Sequence, residues 1–405
     1  MKNLIKPSYL CLTMALFIVI TGCSSSDNPR DNSYHIDTDY PYMFYQQGLG
    51  SPIAPSDQGY YFLDQNLIYY ADKATMKPVL LDNRPNHGCL QEPTTQNCYA
   101  YVQSDSSRRA NFLQFYDSKL YVLESYQDKE HEEMFHTSWI LSRMDADGKN
   151  RKTVKKFETA PNSLAIHRGY LYYSVTDSDK NGVLHASVRK IPINDLNQEG
   201  KEIYLSTGKN ERIGDLLPYG NQMYWIYIDD QGYNTIRYDF TTGQINRLWA
   251  QEETSFSRIL SISDNKLFFS YFYGDPSDTR VFSKYSSDLK GGNIQSVKLE
   301  FPPVMSYFYQ DSRYSYVLPI YEYIRDRTDI PHKMAIYSKE QISPKIIEID
   351  MNGVITPYDM VIGDDRYMFI IYGLPKDDSG ILYLDKDLIS TGSAKFQTLL
   401  ETKQK

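Results

Sequence analysis

A few short stretches carry residue types that do chemistry, and their spacing decides what each can do. His131-Glu132-Glu133-Met134-Phe135-His136 invites comparison with HExxH, where two histidines four apart share one helix face and hold zinc. Here they are five apart, about 140° around a helix, so that geometry fails and the stretch reads as a charged hairpin loop. Asp145-Ala146-Asp147-Gly148-Lys149-Asn150 opens like a calcium loop, but the twelfth position is Lys156 where a bidentate glutamate is needed. Asp-Gly between two strands is a hairpin corner instead. Asp275 with Asp278, Asp326 with Asp329, and Asp377 with Asp378 would serve as a glycosidase pair only if two of them met across the fold. The mature chain holds no GxSxG elbow, P-loop or dinucleotide fingerprint. His35, His87, His167, His185 and His332 show no paired ligand spacing and read as turn or surface residues. No catalytic, cofactor-binding or metal-binding residue is assigned, and no cofactor is expected.

The cysteines carry covalent chemistry. Leu10 to Ile20 is a charge-free run of about eleven residues after a start bearing Lys2 and Lys6, too short for a spanning helix but suited to a signal-peptide core. Ile20-Thr21-Gly22-Cys23 resembles the lipobox of bacterial lipoproteins, with isoleucine where leucine is usual. That resemblance implies diacylglycerol on Cys23, cleavage before it, and an anchor of two or three acyl chains on the extracytoplasmic face of the cell membrane. Cys11 leaves with the signal, so Cys89 and Cys98 remain as one pair in an oxidising compartment. A disulfide closing that short loop is worth about 2.5–3 kcal/mol in the chain-entropy model. His87 beside the pair leaves a metal site, or free thiols, as the alternative.

These residues need a scaffold, and composition says which kind. Hydrophobic residues make up 41% and charged residues 23%, enough to bury a sizeable core. Tyrosine, at 37 copies, favours half-buried strands with the ring in an apolar layer and the hydroxyl at a wet edge. Net charge is −8, and loss of Lys2 and Lys6 makes it more negative, so no basic footprint for nucleic acid exists. A texture of aromatic strands and polar turns recurs roughly every 45–50 residues, a period of solenoids and propellers. Ser263-Asp264-Asn265, Tyr219-Gly220-Asn221, His167-Arg168-Gly169 and Gly363-Asp364-Asp365 supply first-to-second-strand turns. Asp145 to Gly148, Thr241-Thr242-Gly243 and Leu289 to Gly292 supply third-to-fourth corners. Seven such units fit, so the chain is expected to be an all-β propeller of four-stranded antiparallel blades. The division is a signal peptide over 1–22, lipidated Cys23 and a flexible spacer over 23–50, and the propeller over 51–401.

Ser118-Lys119-Leu120-Tyr121-Val122, followed by the Asp-Gly corner after Trp139, resembles the YWTD-type blades of low-density-lipoprotein-receptor propellers, although the tetrapeptide itself is missing. The resemblance implies architecture and little biochemistry. On these grounds the chain is expected to be a non-catalytic, lipid-anchored cell-surface binding or scaffold protein, meeting the membrane only through its anchor. Long loops in the second, fifth and sixth units would offer aromatics to a protein or glycan ligand. The alternatives are a propeller hydrolase or lyase acting on extracellular glycan, or an accessory subunit of an envelope complex.

Overall fold

The computed structural model describes residues 32–45, 51–89, 91–104, 112–127, 137–206, 211–229, 232–249, 255–273, 283–297, 306–319, 333–339, 346–350, 358–372 and 379–402. Seven four-stranded antiparallel sheets, each made of four consecutive strands, form a seven-bladed propeller. The blades cover 53–80, 113–157, 161–205, 212–248, 255–296, 306–350 and 358–402. They coincide closely with the units read from the sequence. No helix among the described residues is long and apolar enough to cross a membrane.

Short runs rich in aromatic and β-branched residues, buried on both faces in strands such as Gln222–Asp229 and Tyr314–Pro319, explain why these segments are strands, and turn chemistry explains where each stops. Arg168, Gly169, Gly220, Asp264, Asn265 and Gly363 all have positive φ, as tight turns matched to strand twist require. First strands lie against one another at the junctions of blades one and two, three and four, and five and six, the arrangement of an innermost ring. Backbone and side chain bind them blade to blade. Leu113 N–H donates to Ser51 O at 2.9 Å, Gln114 bridges both ways to Ile166 at 2.7 and 2.9 Å, Leu216 N–H reaches Ser163 Oγ at 2.9 Å, and Gln310 N–H reaches Ser261 Oγ at 3.0 Å. The fourth strands are the outer rim, with mostly exposed side chains in Lys152–Phe157, Lys201–Leu205 and Ile245–Leu248.

Tyrosine and phenylalanine fill the spaces between blades. Tyr60, Tyr172, Tyr224 and Tyr316 are all at least 97% buried. The seam between the first and last blades is shut by side chains, because no strand is shared across it. Phe369 of the last blade lies 5.2 Å from Tyr60, 5.7 Å from Phe62 and 6.2 Å from Phe44, ring centre to ring centre. Tyr367 Oη also donates to Lys73 O at 3.2 Å, and Gln65 Nε2 to Ser379 Oγ at 3.2 Å.

Within the span read as spacer, residues 32–45 are docked on the ring. This strap overlies the first-to-second-strand turns of blades two, three, four and seven. Asp117 N–H donates to Asp37 O at 3.2 Å, Arg168 N–H to Thr38 O at 2.6 Å, and Gly363 N–H to Met43 O at 3.0 Å. Asn221 N–H reaches Asn32 Oδ1 at 3.2 Å. Gly220 fits beneath because a Cβ there would lie 2.4 Å from that same oxygen. Contacts on opposite sides of the ring carry the strap across this mouth of the channel.

Candidate functional site

A buried polar cluster lies under the strap. Asp39, 98% buried, accepts from Arg168 Nε at 2.9 Å and from its terminal nitrogen at 3.1 Å. His167, expected as a turn or surface residue, is 99% buried. Its Nδ1 accepts from Tyr40 N–H at 3.0 Å and its Nε2 donates to Gly220 O at 2.8 Å. Both ring nitrogens are thus committed to backbone, the imidazole is neutral, and it has no nitrogen left to serve as a general base. Burial, outweighing nearby Asp39, lowers its pKa to about 4.

That shift sets a pH dependence. A histidine whose folded pKa lies below its unfolded value of about 6.5 binds its proton first in the unfolded chain. Its contribution is intact above that value and is lost as pH falls towards 4, up to about 3 kcal/mol in all. Urea midpoints measured from pH 7 to pH 4 should fall more steeply for the wild type than for His167→Gln. Parallel curves would show that the strap does not depend on the neutral ring.

A second feature is a cleft of about 470 Å³ between blades two and three. Lys155, Lys156, Phe157, Glu158 and Thr159 form one wall, and Tyr173, Val175, Asp177 and Arg189 the other. Phe157 and Tyr173 meet edge to face at 5.4 Å across its floor. Arg189 lies 3.5 Å from Asp177, whose carboxylate also accepts from Thr159 Oγ1 at 2.6 Å. Lys155 Nζ donates to Gln198 O at 2.9 Å, and burial lowers its pKa.

The other residues singled out in the sequence fall as follows. The sulfurs of Cys89 and Cys98 are joined, with Cα atoms 5.0 Å apart, so the pair can form the expected disulfide. Asp82 lies close enough to complete a three-ligand metal group with them, yet its carboxylate is taken by Arg84 at 2.6 Å and by Tyr99 N–H at 2.8 Å. Its pKa is lowered to about 2, chiefly by the Arg84 hydrogen bonds. His87 Nδ1 accepts from Cys89 N–H at 3.3 Å, and His185 faces Asp179 at 3.6 Å. Asp145 is held by Lys119 at 2.7 Å and Asn150 at 2.6 Å, and Asp147 by Lys149 at 2.7 Å. With Gly148 at φ 83°, this is a hairpin corner. Cys23, His131 to His136, Asp275, Asp278, Asp326, Asp329, His332, Asp377 and Asp378 lie outside the described residues. The strap and cleft were not read from the sequence. Tyr40-Pro41-Tyr42-Met43-Phe44-Tyr45 was the available signal, a greasy aromatic run inside a supposed spacer.

No family model matches the chain, and no curated protein matches it. Solved structures do. The tricorn protease superposes with a TM-score of 0.51 at 9% identity, over 90% of this chain and 36% of that one. Prolyl oligopeptidase B from Galerina marginata gives 0.51 at 9% identity, over 85% of this chain and 48% of that one. A puromycin-hydrolyzing peptidase from Mycobacterium tuberculosis gives 0.47 at 10% identity, over 83% and 51%. The chain therefore spans about a third to a half of the length of these proteins, and at such identities the likeness is one of fold. It corrects the expectation of a non-catalytic binding or scaffold protein. That expectation rested on missing catalytic motifs, whereas this architecture recurs within peptidases, so lack of a motif does not set the chain apart from enzymes.

Proposed function

We propose that the chain is the propeller part of a peptide-hydrolysing enzyme, moored by lipid on Cys23 to the extracytoplasmic face of a bacterial membrane. The observation that carries the hydrolytic reading is the shared fold with the tricorn protease over 90% of this chain, with prolyl oligopeptidase B in support over 85%. Both of those proteins extend well beyond the matched part, which is why bond cleavage is assigned to residues or a polypeptide outside the described propeller. His167 and Asp39 are spent on holding the strap. The mooring follows from the signal-like run and the lipobox-like Cys23. Nine residue steps separate Cys23 from Asn32, at most about 30 Å of extended chain, so the strapped face is turned to the bilayer.

Membranes from cells lacking this chain should cleave a quenched-fluorescence peptide library several-fold more slowly than wild-type membranes, and return of the full chain should restore the rate. Equal rates overturn the hydrolytic reading. Mass spectrometry of the mature N-terminus should find an acylated residue 23; an unmodified thiol overturns the mooring and leaves the hydrolytic test standing.

A further inference from the structure

We infer that the cleft between blades two and three binds an extended peptide, laid as a fifth strand along the outer edge of Lys152–Phe157. The inference rests on the cleft itself and does not depend on the hydrolytic reading. Lys155 to Thr159 line one wall as five consecutive residues. Lys155, Lys156 and Phe157 belong to the strand, and Glu158 and Thr159 follow it. Successive side chains of a strand point to opposite faces, so a cleft touching all three strand residues runs along the backbone edge and does not merely cover one face. That strand is the last in its sheet, paired on one side only, with the strand Thr137–Asp145. Among the described residues no backbone group of 152–159 makes a backbone hydrogen bond beyond its own sheet. An unpaired row of N–H and C=O groups is what an added strand satisfies.

The lining gives the peptide its character. Five residues span at most about 17 Å when extended, and a volume near 470 Å³ lies within the range of about 300–1,000 Å³ usual for ligand pockets. Phe157 and Tyr173, both more than 90% buried, form an apolar floor for a side chain pointing inward. Gly200 leaves room for the Tyr173 hydroxyl, since a Cβ there would lie 2.5 Å from it. Three cations, Lys155, Lys156 and Arg189, and three anions, Glu158, Asp177 and Glu199, line the cleft. A balanced rim suits a peptide with an apolar residue flanked by an acid and a base. It does not suit a polyanion such as nucleic acid, which needs one sign of charge.

The test selects binders to the full chain from a displayed random pentapeptide library, then measures the enriched peptide by fluorescence anisotropy and by hydrogen exchange. Enriched peptides are expected to carry an acid beside an apolar residue. They should bind at least tenfold more weakly to Arg189→Glu and to Lys155→Glu, with unchanged melting temperatures in both variants. Amides of 153–157 should exchange more slowly with peptide bound, which side-chain capture alone would not produce. Three results each overturn the proposal: no enrichment on the wild type, enrichment insensitive to both reversals, or slowed exchange without peptide that follows protein concentration, which would mean that a second copy pairs with the edge.

Discussion

Replacing Asp311 by alanine is expected to destabilise the protein by about 3–5 kcal/mol, because it strands a buried cation. Lys386 is wholly buried, and its Nζ lies 2.6 Å from Asp311 Oδ2 and 2.6 Å from Asp364 O. Asp311, in a turn of the sixth blade, also accepts from Tyr316 Oη at 2.6 Å and from the N–H groups of Arg313 and Tyr314, both at 2.8 Å. One carboxylate therefore closes its own turn and ties the sixth blade to the seventh. Burial pushes the Asp311 pKa up, but Lys386 and these hydrogen bonds outweigh it and leave it lowered. The ion pair thus stabilises the fold above the usual carboxylate range, and its contribution is lost as pH falls below it. Urea unfolding of Asp311→Ala, Lys386→Met and the double variant Asp311→Leu with Lys386→Met forms the measurement. The double variant should recover at least half of the loss, since an apolar pair leaves no charge unpaired. A double variant as unstable as the sum of the singles would mean that the pair itself contributes nothing.

Phe369→Ala is expected to cost about 3–5 kcal/mol, the range for emptying a buried aromatic site. Its effect should also be local. Phe369 is fully buried and touches three aromatics, of which Tyr60 and Phe62 belong to the first blade and Phe44 to the strap. Hydrogen exchange in the variant should therefore quicken in the first and last blades and in the strap before it quickens in blades three and four. Leu171→Ala removes a fully buried side chain between the second and third blades and serves as the control. It should destabilise without singling out the seam. Exchange that rises evenly around the ring in both variants would show that the seam is no weaker than any other junction.

The blades were legible because their signals are local. Strands such as Tyr170–Ser178 and Gln222–Asp229 declare themselves by aromatic and β-branched residues within nine positions, and turns such as Asp264-Asn265 state their positive φ by residue type. Radial repetition follows once seven such units are counted. The strap was not legible for the opposite reason. Tyr40 meets His167 across 127 residues, and Asn221 meets Asn32 across 189, so nothing nearby in the chain signals the pairing. His167 read as a turn or surface residue, and it ends the strand that leads into the turn; its burial comes from a segment laid over that turn. The cleft likewise exists only where two blades meet, with Phe157 from one and Tyr173 from the other. The aromatic texture of the strands marks what they pack, rings between sheets, and that packing task does not specify a ligand.

The strap also fixes an order of events during synthesis. It leaves the ribosome before any blade, yet Gly363, which anchors it by a hydrogen bond, is translated with the final blade. Domains generally form in the order in which they are made, so this segment must wait for its binding surface and cannot template it. Sealing of the mouth therefore comes last, and a chain truncated before residue 363 should fold most of its sheets while leaving that end ajar.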